Sequence, residues 1–545
     1  MNKQKYVKLF IGLMFGILSL AACTNTQTTL DNMDKNTPDL KKYSDIFTDQ
    51  DMESGYEEET STVLTLEDDA TLENTDNVTI IDDTITITEE GTYILRGALT
   101  NGQVVIDADK SAKIQVVLDN AEITNTSTAP IYVKKAEKVF ITLANDSENL
   151  LSVAGEFVAI DDNNIDAAIF SKKDLTINGN GTLIIENPYG NGITSKDNLI
   201  ITNGNYDIDV SGHGLEGKDS VRVANGIFNI MAVKDGVHAS NKDDISLGYI
   251  YIADGTFEIT SSDDGMHADS DLVITNGTVD IIESYEGLEG KTVQINDGLI
   301  SIVSSDDGIN AAEGNLSEET TEVPENETVN EDVYIKITGG EIHVDAEGDG
   351  IDSNGNFYVT GGELYISGPQ SNGDGAIDYD GTAVISGGVV VAAGMSGMAE
   401  NFDEDSTQGS MLVSSENVQT GEIHLTDSNG TEILSYSPSK SYNSVVISTS
   451  EIKKDETYTI TMGSETQEIE MTTLIYGQGG MRGQGPNNGK MPEHPEGEEM
   501  PERPEGEEIP ERPEGEEMPE HPEGEEMPER PEGEEIPENS EEKEV

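Results

Sequence analysis

The chain has 545 residues, 108 of them acidic against 30 basic, for a formal net charge of -78. A phosphate backbone would be repelled by such a molecule, so nucleic acid is excluded as a partner and cations are expected as companions. There is no tryptophan, and a single cysteine excludes an intramolecular disulfide.

At the N-terminus, MNKQKYVKLFIGLMFGILSLAAC places Lys3, Lys5 and Lys8 before an apolar run from Leu9 to Ala22. That is the layout of an export signal. Cys23, after Leu20, Ala21 and Ala22, stands where a bacterial lipoprotein leader carries the residue to be diacylated, in a pattern that resembles a lipobox. Residues 1–22 are therefore expected to be a lipoprotein signal peptide and Cys23 the lipidation site. Residues 23–62, polar and acidic, are expected to be a flexible tether. No later apolar run is long enough to cross a membrane. Attachment is thus expected through lipid, at the extracellular face of a bacterial cell membrane.

Residues 63–475 are expected to fold as one domain. Between about 165 and 394 a short unit recurs, as in DGMHADSDLVITNGTVDIIESY followed by EGLEGKTVQINDGLISIVSSD. The glycine opening the last strand of each unit falls at Gly181, Gly204, Gly226, Gly255, Gly277, Gly298, Gly340, Gly362 and Gly388. Most intervals are 21 to 26 residues; the two longer ones, 29 and 42, carry polar insertions. After each glycine, pairs such as Phe257/Ile259, Val279/Ile281 and Ile300/Ile302 alternate with mostly polar residues at period 2. Units this short have no core alone, and stacking joins their apolar stripes. The pattern predicts an all-β chain: a right-handed parallel β-helix solenoid, three strands to a rung, with a disordered N-terminal tether and C-terminal tail. The stretch 70–160 should supply the first rungs and cap, and 411–475 should close the other end. Residues 476–545 are a glycine-rich linker and five proline- and glutamate-rich nine-residue repeats, expected to be extended and solvated.

Stacked rungs put equivalent positions about 4.8 Å apart. A turn row runs through His213, Asp235, Asp264, Glu286, Asp307, Asp349 and Asp374. Two positions on, Leu215, Val237, Met266, Leu288, Ile309, Ile351 and Ala376 should point inward. One further, Glu216, His238, His267, Glu289, Asn310 and Asp352 should point out. Asp263 and Asp306 double the charge at two rungs. Like charges opposed across strands are destabilising, so a cation is expected among Glu216, Asp235, Asp263, Asp264, Glu289, Asp306 and Asp307. Oxygen donors suit Ca²⁺; zinc would call for cysteine or converging histidines, and the cysteines are missing. Gly236, Gly265, Gly287, Gly308 and Gly350, in step with the acidic positions, read as space for close approach. His238 and His267 either donate to neighbouring carboxylates or contact a ligand.

The phrases GLEGKTVQINDGLISIVSSDDGINAA, SSDDGMHADSDLVITNG and HGLEGKDSVRVANGIFNI resemble a bacterial carbohydrate-binding domain family over roughly 75–475. The resemblance implies a pectate-lyase-like right-handed parallel β-helix with bound calcium on the acidic rungs around Glu216, Asp235, Asp264, Glu289 and Asp307. That family is associated with binding cellulose and acidic plant polysaccharides such as polygalacturonate, and the resemblance implies a surface role in glycan attachment without a ligand for this particular chain. The 42-residue interval ending at Gly340 is expected to interrupt the site beyond Asp307.

A lyase of this shape needs a base. Between Arg96 and Arg482 there is only Arg222, outward-facing in VRV. Lys218 and Lys291, which follow the GLEG phrases, suit salt bridges to the stripe or contact with a uronate carboxylate. Carboxylates are too numerous for a hydrolase pair to stand out. The expectation is a calcium-binding surface lipoprotein that binds polysaccharide through Lys218, His238, His267 and Lys291 and is not an enzyme. A calcium-dependent lyase and a structural or adhesive protein are the alternatives. Tyr365 and Tyr358 are expected to be exposed and available to stack on sugars.

Overall fold

The computed structural model describes residues 46–68, 76–81, 83–159, 164–313, 330 and 332–477. Cys23, the leader and the C-terminal repeats lie outside the described residues. Among the described residues no helix is long and apolar enough to cross a membrane.

Strands stack in parallel on three faces, giving the expected right-handed β-helix. On the first face Leu215–Gly217 pairs with Val237–Ala239, which pairs with the start of Met266–Ile274. On the second, Ser220–Val223 pairs with Tyr249–Ile252. On the third, Ile227–Ala232 pairs with Thr256–Ser261. The long strands Met266–Ile274 and Leu288–Ile295 turn the corner from first face to second as continuous strands, with a shift of register at Ala268–Asp271.

Alternation decides which side chains are inside. Ile281 and Ile302 are 0 % and 1 % exposed, while Asp280 and Ser301 between the core positions pair on the outer side. Each buried aliphatic contributes about 2 kcal/mol, and the contributions join along the axis into one core. Aromatics stack in the same register: Tyr206, Phe228 and Phe257 have centroid separations of 4.8 and 4.4 Å.

The glycines beside the acidic turn positions have a role different from the expected one. A Cβ on Gly287 would lie 2.3 Å from the Gly308 carbonyl oxygen and 2.4 Å from Ile302 Cγ2. The space is needed by the adjacent rung, so these glycines keep step because stacking requires them.

At the C-terminal end parallel stacking stops. Val389–Gly394 pairs antiparallel with Tyr442–Ser448, which pairs antiparallel with Ser410–Gln419. Ile423–Asp427, Glu432–Tyr436, Thr457–Met462 and Glu465–Glu470 form a separate antiparallel sheet. The last strand of the helix is thereby covered by a strand of opposite direction.

Part of the segment expected to be a tether is packed. Asp51, in the short helix Asp49–Met52, is 0 % exposed and lies 2.6 Å from Lys138 Nζ. Thr176 Oγ1 donates to its carboxylate, and Asn178 Nδ2 and Thr202 Oγ1 donate to its backbone carbonyl. Burial works to raise the Asp51 carboxyl pKa, and Lys138, Thr176 and Thr48 overcome it, leaving it below the ordinary range. Arg222 bonds the Ile46 carbonyl oxygen at 3.0 Å and Arg96 forks onto Glu58. The segment from Ile46 to Glu58 is thus a strap across the second face. Its composition reads as solvated because only Ile46, Phe47 and Tyr56 bring apolar surface to the body, and the rest of the anchor is a buried carboxylate and backbone.

Candidate functional site

The first face carries one continuous outward row. Strand pairing places Thr194, Glu216, His238, His267, Glu289, Asn310, Asp352 and Asp378 on successive rungs. The 42-residue interval does not interrupt it, since Ile309–Ala311 pairs directly with Ile351–Ser353. The sequence alignment slips only at the last rung. Ile351 donates to the Ala376 carbonyl and Asp352 pairs with Asp378, so Gly375, not Asp374, takes the turn-row position and Ile377, not Ala376, the inward one.

The turn row is held by its own carboxylates. Asp235 Oδ1 accepts from the Asp264 amide at 3.1 Å, Asp264 Oδ1 from the Glu286 amide at 3.2 Å, and Asp307 Oδ1 from the Asp349 amide at 2.7 Å. Asp349 in turn accepts from the Gly375 amide. Each carboxylate spends one oxygen stapling the next rung and presents the other toward the strand row.

What meets that second oxygen differs along the stripe. In the N-terminal half histidines do: His238 Nδ1 lies 2.5 Å and His213 Nδ1 3.2 Å from Asp235 Oδ2. Burial would raise the Asp235 pKa, and the two imidazoles hold it well below the usual range instead. His267 Nδ1 contacts Asp264 at 3.0 Å and also Glu289. Against the cost of burial, Asp264, Asp269 and Glu289 push the His267 pKa up to about 12, so it stays charged.

The C-terminal half has no such partner. Oxygens of Asp307, Asp349 and Asp352 lie within 4.8 Å of one another, and among the described residues no lysine, arginine or histidine pairs with them. Burial and mutual repulsion raise Asp307 to about 6, Asp349 to about 8 and Asp352 to about 7. Glu286, facing Glu289, is raised to about 8 by burial and then by that neighbour. Asn310, 8 % exposed, donates through Nδ2 to Glu286 at 3.0 Å and leaves its buried Oδ1 without a partner. Three clustered carboxylates, with the orphaned amide oxygen of Asn310 on the strand paired to Asp352, offer oxygen donors alone, which fits a hard divalent cation such as Ca²⁺.

The residues expected at the site fall into different settings. Asp235, Asp263 and Asp264 converge within 4.8 Å, and Glu289 converges with Asp264 and His267. Glu216 is occupied by the protein, accepting from Asn191 and Thr194 and pairing with Lys196 at 3.0 Å. Asp306 faces Tyr285, whose pKa it helps raise to about 12. Lys218 pairs with Asp243 at 2.5 Å and Lys291 with Glu313 at 3.0 Å. His213, Asp349 and Asp352 stood in the predicted rows without being selected as ligands. The signal that would have found the last two is the three-residue spacing of Asp307 to Asn310, repeated as Asp349 to Asp352.

The two tyrosines are not sugar platforms. Tyr358 is buried with Tyr334 and Val384, because the outer side of its strand is covered. Tyr365 is half-buried and its ring already stacks with His343 and Tyr436, with centroids at 5.1 and 5.3 Å. Arg222 belongs to the strap contact on the second face.

Residues 81–324 match the model of a family described as carbohydrate-binding domain-containing protein. The match is to the family that the repeated phrases resemble. A carbohydrate-binding domain-containing protein of Acetivibrio thermocellus is 40 % identical over 140 residues, 25 % of this chain and 49 % of that protein, so the chain spans about half of its length. A solved structure, the polysaccharide lyase-like protein from C. thermocellum as a gadolinium derivative, shares 32 % identity. It covers 47 % of this chain and 97 % of its own, with a TM-score of 0.39. A polysaccharide-binding role is thus supported at the level of the family. The expectation that the protein is not an enzyme is corrected: a relative at this identity is described as lyase-like, and the non-catalytic reading is withdrawn.

Proposed function

We propose that this protein acts on an acidic polysaccharide as a calcium-dependent lyase of the pectate lyase type. The observation that carries the reading is the Asp307, Asp349 and Asp352 cluster beside the unpartnered Asn310 oxygen, a half-buried concentration of acidic groups that no lysine, arginine or histidine among the described residues pairs with. These four residues would hold Ca²⁺, with Asp235, Asp263 and Asp264 as a further carboxylate set. Bound there, the cation supplies neutralisation of a uronate carboxylate that the stripe would otherwise repel.

The protein's own cations line one margin of the stripe. Lys196 and Lys218 follow first-face strands and Lys291 lies within Leu288–Ile295, and Lys218 and Lys291 would meet uronate carboxylates. Lys218 is raised by its bond to Asp243, which keeps it charged. In the elimination the glycosidic C–O bond breaks and a C=C bond forms at the new chain end, the proton next to the uronate carboxyl passing to Lys291 once that side chain has left Glu313 and given its own proton to solvent. His238 and His267 contact the glycan from the strand row. We place the protein outside the cell, held by lipid on Cys23; intact-mass analysis of the mature chain, with a diacylated N-terminal cysteine expected, tests the anchor.

The test of the activity is incubation of the full chain with polygalacturonate, in calcium and in chelator, followed by ultraviolet absorbance of unsaturated products and by retention on the polymer. Products should form in calcium, stop in chelator, and be lost in Lys291→Ala while retention persists. Retention without unsaturated products under all conditions overturns the elimination, and no retention in calcium overturns the glycan reading itself.

A further inference from the structure

The nitrogen-bearing end of the stripe differs in chemistry from the oxygen-only end. His213 sits in the turn row and His238 in the strand row one rung on, and both aim Nδ1 at the same oxygen of Asp235, a residue only 3 % exposed. Their rings stack at 4.2 Å and 21°. The three ligand atoms lie within 4.8 Å of one another. His238 is satisfied by the carboxylate as a hydrogen-bond donor, but His213 Nδ1 is not. It is buried and has no hydrogen-bond partner, its approach to Asp235 lacking the geometry of a bond. Buried polar atoms are rarely left so, because each forfeits its hydration without return.

We propose that His213, Asp235 and His238 form a site for a borderline divalent cation of the zinc class, distinct from the calcium-type cluster at Asp307, Asp349 and Asp352. Two imidazole nitrogens and one carboxylate oxygen are donors that zinc, nickel and copper prefer and that calcium does not. A cation between them uses the orphaned His213 nitrogen and replaces the crowding of both rings on one oxygen. The absence of cysteine in this domain does not count against such a site, since the histidines converge. One stripe thus sorts cations by position: nitrogen-bearing donors on the rungs of His213 and His238, oxygen donors beyond Asn310.

The site shares His238 with the proposed glycan contacts and Asp235 with the second carboxylate set, and its test needs no polysaccharide. Zinc chloride is titrated calorimetrically into the full chain in saturating calcium. One zinc per chain is expected at this site, with affinity falling at least about tenfold in His213→Ala and in His238→Ala and unchanged in His343→Ala and Cys23→Ser. Circular dichroism of each variant checks its fold. In parallel, carbethoxylation of the unmutated chain read by mass spectrometry should show zinc protecting His213 and His238 but not His343. Zinc binding that survives the His213→Ala/His238→Ala double variant, stoichiometric displacement by calcium, or equal labelling of all three histidines with and without zinc would overturn the proposal.

Discussion

A glycine in the acidic phrase shows how one residue can be read two ways. A missing side chain beside a carboxylate suggests room for a ligand, but at Gly287 the room is filled by the Gly308 carbonyl and Ile302. Gly287→Ala is therefore expected to destabilise the fold by about 2 kcal/mol or more, as overpacking does. Gly55→Ala, where nothing lies within 4 Å, should leave the melting temperature unchanged. Calorimetric melts of the two variants decide it. Periodicity in the sequence is strong enough to identify these glycines as a register, but it does not say whether the register serves the stack or a ligand. The same limit applies to Tyr358: alternation places it on the outer side of its strand, and only tertiary contact with Tyr334 and Val384 reveals that this outer side is covered.

At the scale of elements, the acidic stripe and the strap respond to pH in opposite ways. Glu286 and Asp349 titrate near 8 in the folded protein and near 4 in an unfolded chain. Between those values the folded state holds more protons, so in chelator stability should fall as pH rises from about 4 to about 8. Calcium should flatten that slope. Asp51 has the reverse sign: its folded pKa is depressed, so its contribution is present above about 4 and is lost as pH falls further. Asp51→Asn leaves Lys138 facing a neutral group and should cost about 3 kcal/mol at neutral pH, a loss that narrows in acid. Chemical denaturation across pH, with and without chelator, reads both effects. The rows of the stripe were legible because each rung repeats the spacing of its neighbour. The strap was not, because its anchors join residues far apart in the chain, as the buried pair Asp51 and Lys138 does across 87 positions, and no local pattern marks such pairings.

For the whole molecule, period 2 within units and a steady interval between them specify a solenoid, since no other packing buries that many short stripes. The antiparallel cap was visible only as strand-forming sequence: the change from parallel to antiparallel pairing at Val389–Gly394 depends on Tyr442–Ser448 returning from a distance. A cation bound only by the folded state should stabilise the entire stack, by about 2.7 kcal/mol at a hundredfold excess over its dissociation constant. The expected observation is a rise of a few degrees in the melting temperature with calcium, abolished in Asp349→Asn/Asp352→Asn.

The strap also sets how the molecule bears load. Ile46 is pinned at Arg222, Asp51 at Lys138 and Thr176, and Glu58 at Arg96, so the chain enters beside the middle rungs and runs back toward the first. Tension applied upstream of Ile46 is met by these contacts in turn, from Arg222 toward Arg96, before it reaches Thr62–Leu66, the first strand of the stack. The strap acts as a strain relief, taking a pull on the side of the body and sparing the exposed end of the helix from being unwound. In single-molecule pulling from that side, a small rupture should precede the unravelling of rungs, and Lys138→Ala should lower its force while leaving the later events in place.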